Sequence, residues 1–428
     1  MPGIVHRAKR IAFRLLRAAL LRYVRASPRA EELEGADRRV FILLWTAWGM
    51  GGTIRAAFNL AEYLIAHGYE VEVISAIRNR DVPFFGEFPT GVRVTSLDDR
   101  RKGAQPGGLR GQARRLLRPL SSVLMPTADR AVTGFNVWTD VRLARHLRGR
   151  SGFLLGTRPG VNLMVARLDM PGMTSIGLEQ MNLSKHNRHL RSAMRRLYPQ
   201  LDALVVLSEQ DREAYARMLS DTLPLYRIPN TVRALPGAKA DLAAKTVYAA
   251  GRFRYQKGFD LLIPAWAGTA RAYPDWRLRL RGTGHLRPRL EGLIADHGIE
   301  GSVTVEGPAE DIGSDMAEAS VFVLSSRFEG FPLILLEAMS KGMSVVSFDC
   351  PTGPSDIVDD HRNGILVPAK DIDALARGID EMISDEELRR RTAAAAVETA
   401  QQYTMEAIGP QWTALFDELS SKRRPAPA

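Results

Sequence analysis

Two doubly wound α/β domains are the architecture predicted for this chain of 428 residues. Three observations carry that expectation. Strand-like and helix-like segments alternate from Arg39 onward, the pattern of parallel sheets covered by helices. A stretch rich in Ala, Gly and Pro, running to Lys245, divides the alternation into two series. The length suffices for two cores of ordinary size. The expected bounds are 1–36 for a basic helix and linker, 37–230 for the first domain, 231–402 for the second, and 403–428 for a final helix and frayed tail. Ligands of such sheets sit at the carboxyl ends of the strands, so two facing domains place a site in the cleft between them.

The elements follow in order. Residues 40–45 are a continuous apolar run, read as a buried strand, and Gly49-Met-Gly-Gly52 turns the chain into a helix over 53–66 closed by His67 and Gly68. Strands are expected at 70–75, 92–97, 131–135, 153–155, 174–178 and 203–207, with a basic helix over 184–197 and a Gly-rich, basic excursion at 100–120. A short strand and turn end this series at Tyr226-Arg-Ile-Pro-Asn-Thr231. The second series has strands at 246–250, 277–281, 303–305, 321–324, 344–348 and 364–367. Its helices are expected over 260–273, 285–297, 311–318, 332–341 and 372–383, followed by two helical segments.

Composition narrows the class. Hydrophobic residues at 45% and charged residues at 25% are those of a globular protein. With Cys350 as the one cysteine, no disulfide within the chain and no Cys-based metal site can form, which fits a reducing compartment. The net charge of +11 is concentrated in residues 1–30, which hold eight Lys/Arg, and in the runs 100–118 and 185–196. Such clusters suit an anionic partner, set against the plainer reading of solvated faces in an Arg-rich protein. No apolar run approaches the ~18–20 residues that cross a bilayer. Over residues 4–25, Arg7, Arg10, Arg14, Arg17, Arg22 and Arg25 share one helical face, and Phe13, Leu15, Leu16, Ala19, Leu20 and Tyr23 the other. This amphipathic helix suits a lipid interface; a packed helix and a targeting segment are the alternatives.

Two stretches can carry chemistry. In Ser325-Ser-Arg-Phe-Glu-Gly-Phe-Pro-Leu-Ile-Leu-Leu-Glu337, two glutamates stand eight positions apart around a helix start. Pro332 suits the first helical position, where a missing N–H costs nothing. The amides of Leu333, Ile334 and Leu335 then point forward and can hold a diphosphate, with Gly330 and Phe331 in the adjoining loop. Glu329 would lie beside a neutral group attached to that diphosphate, and Glu337 can accept from ribose hydroxyls. The plainer reading is a capped, packed helix with two incidental acids. In Gly251-Arg-Phe-Arg-Tyr-Gln-Lys-Gly258, Arg252 and Lys257 flank a turn that follows a strand. Two cations converging there stabilise a departing diphosphate without a divalent metal. Taken alone, such a pair is more often solvated. Gly51 and Gly52 offer a weaker phosphate-approach loop in the first domain. His67, His146 and His297 read as helix-end or surface residues.

These residues resemble retaining glycosyltransferases of family 4. The resemblance rests on Gly51-Gly52, Ile228-Pro-Asn230, Gly251-Arg-x4-Lys-Gly258, Gly282-x-Gly284, Glu329-Gly-Phe-Pro-x4-Glu337, Pro354-x-Asp-Ile357 and Asn363-Gly-Ile-Leu-Val-Pro368. It spans residues 39–402 and is densest over 246–368. The segment Met181-Asn-Leu-Ser-Lys-His and Cys350-Pro-Thr-Gly-Pro look further like poly(glycerol-phosphate) α-glucosyltransferases of Gram-positive bacteria. The resemblance implies the GT-B fold, two Rossmann-like domains facing across a cleft, and a nucleotide-sugar donor held by the second. It makes Arg252 and Lys257 the diphosphate clamp, with Glu329 on the sugar and Glu337 on the ribose. Retention then follows from front-face attack, a donor phosphate oxygen taking the acceptor proton. One departure stands out: many relatives carry a histidine in a cleft loop of the first domain, where this chain reads Glu179-Gln180. A glutamine can hydrogen-bond a hydroxyl but cannot shuttle a proton.

The expected function is metal-independent transfer of a hexose, glucose first, from a UDP-sugar to a cell-envelope glycan, a teichoic-acid-like polyol phosphate or a lipid-linked acceptor. No cofactor beyond the donor is expected. The expected location is cytoplasmic, peripheral at the inner face of the plasma membrane, with residues 4–25 on anionic lipid. A nucleotide-sugar epimerase or a phosphorylase on the same plan is one alternative. A basic nucleic-acid-binding protein is another, but the few aromatics among the basic runs form no stacking series, so no nucleic acid is expected.

Overall fold

The computed structural model describes residues 2–26, 33–104, 106–125, 134–233, 235–309 and 311–422, with side chains from residue 11 onward. The chain divides into two compact units, one of Met1–Val206, Arg212–Ile228 and Gly409–Ala428, the other of Leu207–Asp211 and Pro229–Ile408.

The first unit is built in the order α1 (Pro2–Val24), β1 (Arg39–Thr46), α2 (Gly52–Ala66), β2 (Glu70–Arg78), β3 (Arg93–Asp99), α3 (Gly108–Leu117), α4 (Val137–Leu147) and β4 (Gly152–Gly156). There follow α5 (Pro159–Leu168), β5 (Met173–Leu178), α6 (Arg188–Leu197), β6 (Ala203–Val206), α7 (Glu209–Leu219) and β7 (Leu225–Arg227). The seven strands are parallel, ordered β3-β2-β1-β4-β5-β6-β7. Strand order reverses between β1 and β4, where Val40 pairs with Val71 on one side and Phe153 on the other. β1 is buried over most of its length, as a strand covered on both faces must be. Residues 131–133 of the strand expected at 131–135 lie outside the described residues; Asn136 instead makes an isolated bridge with Ser121 and caps α4. The excursion at 100–120 contains α3.

α1 packs part of its apolar face on the protein. Its leucine face is largely a docking face: Val24 is 1% and Leu20 9% exposed, and Phe13, Leu16 and Leu21 pack on the same core. The helix lies against α4 and α5. The Arg25 guanidinium donates to the carbonyls of Leu168 (2.9 Å) and Arg167 (3.0 Å) at the end of α5, where a cation complements the helix terminus. Of the helix's larger apolar residues, Ile11, Leu15 and Tyr23 remain exposed.

The second unit runs β8 (Thr246–Ala250), α8 (Phe259–Ala272), β9 (Arg277–Arg281), α9 (Arg287–Asp296), β10 (Val303–Glu306), α10 (Ile312–Ala317) and β11 (Val321–Leu324). It continues through α11 (Leu333–Ser340), β12 (Ser344–Asp349), α12 (Pro354–Ile357), β13 (Ile365–Pro368), α13 (Ile372–Ser384) and α14 (Glu386–Gln401). Its six parallel strands are ordered β10-β9-β8-β11-β12-β13, reversing between β8 and β11. Both units are thus doubly wound. Local chemistry explains the helix starts: Asp371 caps α13 through the Ala374 amide (2.9 Å), and Asp385 caps α14 through that of Leu388 (2.8 Å). Arg-Leu-Arg-Leu-Arg in β9 alternates in space as in sequence. Leu278 and Leu280 are fully buried, while Arg279 and Arg281 pair with Asp315 and Glu306.

The last helix, α15 (Met405–Ser421), leaves the second unit at Ile408 and belongs to the first from Gly409. A Cβ at Gly409 would stand 2.3 Å from the Tyr63 ring. Phe416 is fully buried, its ring stacked on Phe153 with centroids 4.4 Å apart and tilted against Tyr69 at 5.7 Å. Phe416→Ala is expected to cost the first unit about 3–5 kcal/mol. Hydrogen exchange followed by mass spectrometry checks this: protection should fall in β1–β7 and hold in β8–β13.

Candidate active site

Ligands of doubly wound sheets bind at the carboxyl ends of the strands where their order reverses. In the second unit that place is the end of β8 and of β11, and the two loops leaving them are 251–258 and 325–332. The loop after β8 is pinned by Gly251 N–H on the Arg281 carbonyl (2.9 Å), by Phe253 N–H on Thr283 (2.8 Å), and by the fully buried Phe253 ring. Gly258, at φ 65°, ends it against the loop after β11; a Cβ there would lie 2.0 Å from the Ser325 carbonyl oxygen. No side chain fits, so glycine is required.

The structure brings Lys257 and Glu329 together. Lys257 Nζ donates to Glu329 Oε1 at 2.7 Å, with the side chains 15% and 8% exposed. The same oxygen accepts from Ser326 Oγ (2.6 Å), and Oε2 from Gln256 Nε2 (3.2 Å). The backbone of Glu329 is held as well, its amide donating to Pro351 O and its carbonyl accepting from Thr352 N–H in the loop after β12. An ammonium has three donors, so Lys257 retains two after this bond. Its stem lies over Gly251, where a Cβ would be 3.0 Å from Cε. Arg252, expected to act with Lys257, is exposed and has no ion pair among the described residues.

The segment at α11 differs in detail from expectation. Pro332 is the N-cap and Leu333 the first helical residue. The Leu333 amide donates to Phe331 O (3.0 Å) and that of Leu335 to Pro332 O (2.9 Å), so two of the three amides expected to face an anion are already engaged in the turn. Ile334 carries what remains of that expectation. Phe331 is buried beside Tyr403, ring centroids 5.7 Å apart, and Gly330 O accepts from Thr352 Oγ1 (3.2 Å). Glu337 is 7% exposed on the second turn. Gly51 and Gly52 start α2 in the first unit, and the space where a Cβ of Gly51 would stand is open.

Three groups have surroundings that sequence reasoning did not supply. Arg327 forms a two-pronged pair with Asp260 (2.7 and 2.9 Å), donates to Tyr255 O (2.8 Å) and lies 4.2 Å above the Tyr255 ring. It clamps the two loops that carry Lys257 and Glu329. Burial raises the Asp260 carboxyl, but Arg327 outweighs it and the net shift is downward. The second is Cys350: burial, then the Glu329 charge, push its thiol up to about 12. The third lies in the first unit. Glu179 is 2% exposed; Oε1 accepts from Asn162 Nδ2 (2.8 Å) and from the Tyr198 hydroxyl, and His186 Nε2 stands 3.6 Å from Oε2. The loop at Glu179-Gln180 therefore has a histidine beside it, six residues after Gln180. The segment Met181-Asn-Leu-Ser-Lys-His was the available signal. His146 is less peripheral than expected, 2.9 Å from the buried Glu72. Among the described residues no group of three or more His, Cys, Asp or Glu is placed to hold a metal ion.

Comparison with known proteins bears on this geometry. Residues 238–399 match the model of the family described as Glycosyl transferases group 1. That segment contains every candidate residue of the second unit. An exopolysaccharide phosphotransferase, SCO2592, of Streptomyces coelicolor is 33% identical over 385 residues, covering 88% of this chain but 40% of that protein. An uncharacterized glycosyltransferase of Haemophilus influenzae is 25% identical, covering 89% of this chain and 100% of its own. The fold matches a mutant of TarM from Staphylococcus aureus, solved in complex with fondaparinux, α-GlcNAc-glycerol and UDP, at a TM-score of 0.70 and 14% identity over 89% of this chain and 99% of that one. The fold is GT-B.

Because the folded-state pKa of Asp260 lies below its unfolded value near about 3.9, the Arg327 pair stabilises fully above that pH and is lost as pH falls through the folded value. Arg327→Met should cost about 3 kcal/mol at neutral pH, and urea midpoints of variant and wild type should converge in acid. Cys350 should resist Ellman's reagent in the native chain near about pH 8 and react fully after unfolding.

Proposed function

We propose that the protein is a retaining glycosyltransferase that moves a hexose, glucose in the first instance, from a UDP-sugar to a cell-envelope acceptor. The observation that carries this reading is the Lys257–Glu329 pair at the strand-order reversal of the second unit, inside the segment that matches the glycosyl transferase family. Held by Glu329, Lys257 keeps two N–H donors for diphosphate oxygens, and exposed Arg252 adds a second cation. Glu329 remains beside the donor sugar and Glu337 meets the ribose. Charge accumulating on the departing diphosphate is met by cations already in position, which lowers the barrier by several kcal/mol in a water-poor site. A divalent metal has no part in this scheme. The bond from C1 to the diphosphate breaks, a bond from C1 to the acceptor oxygen forms on the same face, and the acceptor proton passes to a phosphate oxygen.

The acceptor is a glycan, a polyol phosphate of the teichoic-acid kind or a lipid-linked saccharide, met at the inner face of the plasma membrane. The basic clusters support an anionic acceptor or surface. The exopolysaccharide relative and the UDP and α-GlcNAc-glycerol complex of TarM are in keeping with it. No helix among the described residues is long and apolar enough to cross a membrane.

Donor hydrolysis and transfer with a panel of UDP-, GDP- and ADP-sugars, in EDTA, tests the proposal. UDP release from one donor should fall roughly a hundredfold or more in Lys257→Ala and Glu329→Ala. A folded wild-type chain that binds and turns over no donor would return it to the class of binding proteins.

A further inference from the structure

Helix α3 packs through Gly111, Arg114 and Leu117 and turns its other two leucines outward. Its buried positions are Gly111 and Arg114, the latter 3% exposed, while Leu109 is 84% and Leu116 74% exposed. These leucines are seven residues apart and share one face, with Arg110 and Arg115 flanking it on either side. An ion pair enforces the orientation. Arg114 Nε donates to Asp98 Oδ1 at 2.8 Å and Nη2 to the Asp99 carbonyl at 3.0 Å, and the Asp98 side chain is wholly buried. Arg100, at 2.8 Å, and Arg118, at 3.6 Å, close on the other oxygen of Asp98. A single exposed leucine needs no explanation. Two on one face, held outward by a buried arginine, form a surface.

Beside that face, between α3 and α4, lies a groove of about 530 Å³ whose walls include Leu109, Trp138 and Val141 and whose cations are Arg110, Arg142 and Arg145. None of these three arginines has an acidic partner among the described residues. The one acid on α4, Asp140, is fully buried and accepts from Ser122 Oγ and the amides of Val123 and Leu124. The groove therefore pairs an apolar wall with uncompensated positive charge, complementary to a phosphate attached to hydrocarbon. α1 packs along the same α4 and leaves Ile11 and Leu15 exposed.

We propose that α3 lies in the surface of an anionic phospholipid bilayer, Leu109 and Leu116 entering the acyl region while the α3–α4 groove seats lipid phosphate on Arg110, Arg142 and Arg145. This deepens the membrane part of the function proposed above and rests on it, but not on the donor assignment. A soluble polyanion would use the arginines and leave the leucines idle, which separates the two occupants.

The test uses the full chain. Because the native cysteine is 1% exposed, Leu116→Cys can be labelled with an environment-sensitive fluorophore. Vesicles of phosphatidylcholine with phosphatidylglycerol should shift its emission to the blue; phosphatidylcholine alone and soluble polyphosphate should not. Unshifted emission on vesicles that the chain binds overturns the proposal, as does a shift produced by polyphosphate. Leu109→Ser with Leu116→Ser should lower vesicle binding roughly tenfold or more and leave polyphosphate binding and UDP-sugar hydrolysis as in wild type. Each of Arg110→Gln, Arg142→Gln and Arg145→Gln should weaken it roughly fivefold. Wild-type vesicle binding by the double leucine variant overturns the proposal, whereas absent donor turnover in every protein would sink only the transferase reading.

Discussion

Two backbone contacts that leave no room for a Cβ govern the second unit. At Gly258 an added carbon would lie 2.0 Å from the Ser325 carbonyl oxygen, and at Gly282 it would lie 1.8 Å from that of Gly251. Through these approaches the loop after β8 closes against those after β11 and β9. The closure brings Lys257 onto Glu329 and Arg327 onto Asp260. Residues 72 positions apart can share a hydrogen bond because β8 and β11 are neighbours where strand order reverses. Any side chain at either glycine would wedge the loops apart and separate the charges, a loss greater than backbone entropy alone.

The first unit is organised by buried carboxylates. Asp98 gathers Arg100, Arg114 and Arg118; Glu72 gathers His146 and Arg150, and its pKa is lowered to about 2 although burial alone would raise it. Glu179 gathers Asn162, Tyr198 and His186. A buried carboxylate left alone would be costly, so Asp98 and Glu72 dictate which cations turn inward, while Glu179 is held by hydrogen bonds from Asn162 and Tyr198. The arginines left outside, on α1, α3, α4 and α6, set the chemistry of the surface. The net charge of +11 is thus divided into a structural share and a share offered to partners.

Much of the site was legible in the sequence because it is local. Strand, glycine-bearing loop and helix recur within short windows, so Lys257 was read at the end of a loop and Glu329 just before a helix. What escaped was long-range. Arg327 looked like one more basic residue, since its partner lies 67 positions away. His186 read as part of a basic helix, although folding turns it to Glu179. The amides of Leu333 and Leu335 were expected to be free, but Pro332 stands at the N-cap and the turn consumes them. For α1 the amphipathic pattern was legible, but not that Leu20 and Val24 face the protein's own core.

Alternating apolar strands and helices determined by themselves that two parallel, doubly wound sheets would form, because each buried strand must be covered on both faces. The same local spacing marked the two loops of the candidate site. Only the tertiary structure decided which charges meet one another. It set Lys257 on Glu329, Arg114 on Asp98, and the leucines of α3 toward solvent. The physical reason is that periodicity specifies a face but not its neighbour; the neighbour follows from strand order and from the need to compensate every buried charge.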